Sequence, residues 1–220
     1  MNVNLSIGVI APILELGDPE AITARFAAGG FTQPPVIFTE TISTIKGQIV
    51  RPICEPEERG TFQAWAAVAR WLLDRRSSEL LMLADASLEF SSAAYAALLD
   101  SPVNHLGAGY VSLFSSELMQ QRQPKAFANA AGWCEVEANR SCVGSACVCF
   151  QRKSLLAFLE TPVNAEWTVP QLAEANPERA HGIDAILAET CGTLGMRAFY
   201  HAPSLCRMLD QPAVLDWRRE

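Results

Sequence analysis

The chain lacks the marks of four common classes. It has no apolar run near the ~20 residues that a helix needs to cross a bilayer, so no membrane span is expected. It has no dense cluster of lysine and arginine; the closest approaches are Arg75–Arg76 and Arg218–Arg219, short enough to be solvated ends of elements. With 17 basic against 24 acidic residues, a formal net charge of -7, it lacks the basic face that a nucleic-acid binder exchanges for counterions. Nucleic acid is therefore not an expected partner. The seven cysteines form no repeated CxxC pair, so their spacing does not signal a closed tetrahedral zinc site. The first residues, Met1 to Ile7, show no basic region before an apolar one, and no secretory signal is expected. Cys147 and Cys149 alternate with Ala146, Val148 and Phe150, the pattern of thiols buried in a strand as small hydrophobes. Free thiols and the missing leader together point to a reducing cytoplasm. Internal repeats and low-complexity stretches are also missing.

What is present is enough apolar material for one sizeable core. Half of the 220 residues are hydrophobic, and a single α/β domain spanning residues 1–220 is the natural expectation at this length. Leu5–Ile10 reads as a strand. Asp18-Pro19 reads as a helix start and Gly29-Gly30 as its stop. Pro35–Phe38 is a second strand and Gln48–Arg51 an edge strand. Phe62, Trp65, Ala66, Ala69, Leu72 and Leu73 recur at helical spacing and predict an amphipathic helix. Glu79–Ala84 is the most hydrophobic strand, as expected of a central one covered on both faces. Strands alternating with helices imply a doubly wound, mostly parallel sheet with right-handed crossovers. The second half is less regular. Strands are expected at Gly107–Phe114, Ala146–Phe150 and Met196–Tyr200, and helices from Lys153 and over Ile183–Thr193. Loops are expected over Ser115–Gly132 and 161–180, and a turn at His201–Ser204.

In an open parallel sheet, ligands bind beyond the carboxyl ends of the strands, near the reversal of strand order. Asp85, Ser112 and His201 each fall at such an end, and Asp184 opens a helix nearby. Two carboxylates and a histidine converging there would suit a divalent ion and a diphosphate. Each also has a plainer reading. Asp85 suits a turn after a strand, Asp184 a first-turn carboxylate favoured by the helix dipole, His201 a strand-end side chain bonded to backbone, and Trp133 a packing residue.

Taken in order, these segments resemble the GT-A glycosyltransferases, in particular small bacterial members grouped loosely with family 2. The likeness runs through a Trp65-containing helix before the strand ending in Asp85-Ala86-Ser87, then Val111-Ser112-Leu113-Phe114 and Gly132-Trp133. It continues with Gly144-Ser145-Ala146, Arg152, Ile183-Asp184, and His201-Ala202-Pro203-Ser204-Leu205. The resemblance implies an α/β GT-A-like fold, with a nucleotide-binding half over residues 1–100 and an irregular acceptor-side portion over 101–220. It implies transfer of a sugar from a nucleoside diphosphate sugar to a hydroxyl acceptor. Asp184 would be the catalytic base; Ala11, Asp85, Ser87, Ser112 and Trp133 would contact the nucleotide-sugar. A divalent cation, Mn or Mg, would be held by Asp85 and His201. The acidic motif of the group is here reduced to one carboxylate, Asp85. That leaves open weaker metal binding, metal independence, or a non-catalytic relative that binds a nucleotide-sugar or a protein. A nucleotidyltransferase, which shares strand-end carboxylates and divalent ions, is the other alternative.

Overall fold

The computed structural model describes residues 4–11, 19–39, 44–45, 48–52, 61–128, 131–137, 145–161 and 183–209. Its first strand, β1 (Leu5–Ile10), is buried along its whole length, as a strand covered on both faces should be. α1 (Pro19–Ala28) starts on a proline, which suits a first helical position because that N–H needs no partner. It ends in a Schellman turn: Gly30 has φ 85°, and the N–H groups of Gly30 and Phe31 donate to the carbonyls of Ala27 and Phe26. The Phe26 and Phe31 rings meet at 5.6 Å, the hydrophobic contact that accompanies this cap. β2 (Val36–Thr39), β3 (Thr44–Ile45) and β4 (Gln48–Pro52) follow. α2 (Thr61–Arg75) buries Trp65, Ala66, Val68, Ala69 and Leu72 at three- and four-residue steps. It lies so close to β1 that a Cβ on Gly8 would stand 2.8 Å from Val68 Cγ1.

β5 (Leu80–Asp85) leads into β6 (Leu88–Phe90) and α3 (Ala94–Leu99). After β7 (Ala108–Ser112) the expected long loop turns out to contain α4 (Glu117–Arg122) and α5 (Pro124–Phe127). Ser116 caps α4 by accepting the Met119 N–H, and Met119 is fully buried. Helices this short do not develop a legible apolar period, which is why the Gln-rich stretch reads as loop. β8 (Gly132–Val136), β9 (Cys147–Gln151), α6 (Arg152–Glu160), α7 (Ile183–Thr193), β10 (Arg197–Ala202) and β11 (Cys206–Met208) complete the described chain. The turn expected at His201 starts two residues later: His201 and Ala202 still pair in β10, and the Ala202–Pro203 peptide that follows is cis. The expected loop over 161–180 lies outside the described residues beyond Thr161.

The main sheet has the order β3-β4-β2-β1-β5-β9-β7-β10-β8. β4, β2, β1, β5, β7 and β10 run one way; β3, β9 and β8 run against them. The sheet is thus α/β and mostly parallel, with β9 inserted antiparallel between β5 and β7. A smaller pair, β6 and β11, packs beside it. One face carries the core of α2, α6 and α7, with Leu81, Leu83, Tyr110 and Phe150 beneath. The other carries α1, α3, β6 and β11 over Leu80, Met82, Ala84 and Val111.

Arg152 opens α6 at the amino end of β5. Its guanidinium donates to the carbonyls of Leu73, Arg76 and Ser78, so it closes the C-terminus of α2, where a cation is favoured by the helix dipole. That location, opposite the carboxyl ends, removes it from the ligand side of the sheet.

Candidate active site at the carboxyl ends of β1 and β5

The chain leaves β1 toward β2 and returns to β5 on the other side of β1. The strand order therefore reverses between β1 and β5, where an α/β sheet opens a crevice beyond its carboxyl ends. Ile10 lies opposite Asp85 across that boundary. Ala11, nearly fully buried, continues the ladder by donating its N–H to Phe38; what it offers a ligand is backbone.

Asp85 ends a strand whose other five residues are buried and is itself only part-exposed. Its Oδ1 accepts the Ser87 N–H at 2.7 Å and the Ser87 hydroxyl at 2.5 Å. Ser87 is fully buried, so its part is to fix the Asp85 carboxylate. Burial pushes the Asp85 pKa up from its ordinary value, and the two bonds from Ser87 work against that rise. Side-chain alternation along β5 places Asp85 on the same face as Leu81 and Leu83, under α2 and α7.

Asp184 arrives on that face from the first turn of α7. Its Oδ1 accepts the Ser145 N–H at 2.6 Å, and the next residue, Ala146, accepts the Asp85 N–H at 2.8 Å. One dipeptide thus joins the two carboxylate-bearing residues, which lie 99 apart by number (184 − 85). β9 makes this possible because it runs antiparallel: its start, not its end, lies beside the end of β5. Ser145 is the residue that sequence reasoning used only as part of a motif and whose linking role it missed.

The structure does not bring His201 to the same place. β9 and β7 separate β10 from β5, a backbone gap of about 14 Å at ~4.8 Å per strand. His201 also shares its side of β10 with Phe199, the face opposite Asp85. One ion holds its ligand atoms within about 2.6 Å, so Asp85 and His201 do not form a joint metal site. Instead His201 Nδ1 stands 2.7 Å from the Pro203 carbonyl. A carbonyl only accepts, so Nδ1 carries the hydrogen and, in the neutral ring, Nε2 is the acceptor nitrogen. Trp133 packs edge-on against that ring at 5.1 Å and donates its indole N–H to Ala97. It holds β8 to α3. Ser112 is fully buried, with its hydroxyl 2.9 Å from the Phe114 carbonyl and 3.1 Å from that of Cys147; it stitches β7 to β9. Glu89, the other acid near the turn, is ion-paired to Arg207 at 2.6 Å. Among the described residues no group of three or more His, Cys, Asp or Glu is placed to hold a metal ion.

No family model matches the sequence, and no curated protein does. The fold is similar to that of GalNAc-T7 crystallised with UDP, GalNAc and Mn2+, with a TM-score of 0.53, 8% identity, and coverage of 94% of this chain and 44% of that one. Two further likenesses have lower scores. Mannose-1-phosphate geranyltransferase from Thermus thermophilus gives a TM-score of 0.47 at 14% identity, over 91% of this chain and 74% of that one. The glycosyltransferase GlyE of Streptococcus pneumoniae gives 0.43 at 8%, over 88% and 43%. The chain spans less than half of GalNAc-T7 and of GlyE. At these identities the likeness to GalNAc-T7 speaks for the fold, which is GT-A-like. No helix among the described residues is long and apolar enough to cross a membrane.

Proposed function

We propose that this chain is a GT-A-type glycosyltransferase, moving a sugar from a nucleoside diphosphate sugar to a hydroxyl acceptor. The observation that supports it best is the linked pair Asp85–Asp184 at the point where strand order reverses. Asp85, with Oδ1 committed to Ser87, offers Oδ2 to the donor. Asp184 takes the proton of the acceptor hydroxyl as its oxygen attacks the anomeric carbon. The bond from that carbon to the diphosphate breaks, and the diphosphate leaves with the bonding pair. Residues 1–100 supply the donor end of the site and 101–220 the Asp184 end, within one domain working in the cytoplasm. UDP is the first donor nucleotide to test, since GalNAc-T7 was crystallised with it. A divalent cation, Mn2+ or Mg2+, fits only in part. Among the described residues Asp85 is the one carboxylate at the turn outside an ion pair, and such an ion takes six or more oxygens, so no step is routed through it. Titration calorimetry with UDP and UDP-sugars, with and without manganese, tests the reading. Absence of any nucleotide binding would sink it.

A second reading is supported by one feature: the Asp85-Ala86-Ser87 turn closes on itself. A relative that binds a nucleotide-sugar without transferring it would need no more. UDP binding with neither donor hydrolysis nor transfer to a hydroxyl acceptor would favour that reading.

A further inference from the structure

The turn that carries Asp85 is gripped from the face opposite its carboxylate, and the structure assigns that grip to Arg25, as a positioning residue for Asp85. Arg25 lies on α1, between the buried Ile22 and Phe26. Its Nη2 donates to the Ala86 carbonyl at 2.6 Å, the middle residue of the Asp85-Ala86-Ser87 turn. Its Nε is buried and has no hydrogen-bond partner among the described residues. Holding a guanidinium there costs solvation and leaves a donor unsatisfied. Burial accordingly lowers its pKa, with Glu89 opposing. What is gained is a charge-assisted bond to one backbone oxygen. An Asp-x-Ser turn closes through its own side chains; its direction relative to the sheet needs outside contacts. Arg25 supplies one, and the segment after β11 supplies another. There Leu209 donates its N–H to the Ser87 carbonyl at 2.8 Å, and the Arg207–Glu89 pair ties β11 to β6. Among the described residues the hydrogen bond of Arg25 goes to the Ala86 backbone, not to the Asp85 carboxylate. It acts through the turn.

This inference rests on the donor-binding reading of Asp85, and the test separates the two. UDP affinity is measured by calorimetry for the full chain, Arg25→Gln, Asp85→Asn and the double variant. Arg25→Gln should weaken UDP about tenfold, as losing a charge-assisted hydrogen bond does. In the Asp85→Asn background the same change should cost less than about twofold, because effects that run through one residue are not additive. Arg25→Lys, which keeps stem and charge, should fall between, and it replaces the glutamine variant if that one does not fold. Equal losses in both backgrounds, or no loss in either, overturn the inference. If the unaltered chain binds no UDP, the transferase reading is what fails, and amide exchange then decides the role of Arg25. Faster exchange at Ser87 and Leu209 in Arg25→Gln, with Leu81 and Leu83 unchanged, supports the grip; unchanged exchange at Ser87 and Leu209 overturns it.

Discussion

The ends of β5 and β10 make an instructive pair. β5 runs buried to Asp85, and β10, after an exposed Arg197, runs buried through Tyr200 to His201 one residue before its end; the two strands point the same way in one sheet. Yet their ends are put to different use. Asp85 sits where strand order reverses, joined through Ala146 and Ser145 to a residue far along the chain. His201 is bound to its own turn at Pro203 and to Trp133 on the neighbouring strand. Contacts across the sequence bring two carboxylate-bearing residues together at one end; at the other they hold a histidine and its turn against β8 and the segment after β7. A polar residue at a strand end becomes informative only when its neighbours in space are known.

The comparison can be broken most directly at Asp184. Asp184→Asn keeps an oxygen for the Ser145 N–H but removes the base, so transfer should fall by about a thousandfold, within the usual range for a general base. UDP affinity should stay within about twofold; wild-type turnover in this variant would detach Asp184 from the chemistry. Arg152 sharpens the contrast from the far end of β5. Arg152→Met strips three carbonyls of α2 and its loop of their donor and should cost about 2 kcal/mol in chemical denaturation. UDP affinity should not change, and a large loss of it would mean that the amino end of the sheet takes part in binding.

The Asp85 end should also show a stability cost. Burial raises the folded-state pKa of Asp85, so folding holds its proton more tightly than the unfolded chain does. The stability due to that proton is present below the unfolded value near 4 and is lost as pH rises through the folded value. Asp85→Asn should therefore raise the melting temperature slightly at pH 7, and the gain should vanish in acid. A gain that persists unchanged below pH 4 would exclude ionisation as its cause. The smallest effect is expected at β10: His201→Ala should alter UDP affinity, with or without manganese, by less than about twofold. A tenfold loss that appears only with manganese would restore His201 as a ligand.

Much of this architecture is legible in local pattern. The Schellman stop after Ala28 is written in Gly29-Gly30, the buried face of α2 in its apolar spacing, and the central place of β5 in its unbroken hydrophobicity. β6 and β11, three residues each, and the capped α4 are too short for any period to emerge. Arg152 stands in the sequence only as part of a motif, and that it closes the end of α2 is decided by the fold. For Ser112 too the letter leaves the partner open, since a strand-end hydroxyl turns toward the next strand or toward a ligand according to what lies beside it.

By itself, then, the sequence determined the alternation of strands and helices, that the strand from Glu79 to Ala84 is covered on both faces, and that Asp85 would stand at its end. Those follow from periodicity and local propensity, which act over a few residues. Tertiary structure alone decided that β9 would enter antiparallel between β5 and β7. It also decided that Ser145-Ala146 would join Asp85 to Asp184, and that His201 would lie three strands away on the opposite face. Strand order and direction are set by which long-range pairings bury the most surface at once, and no local stretch of residues encodes that choice.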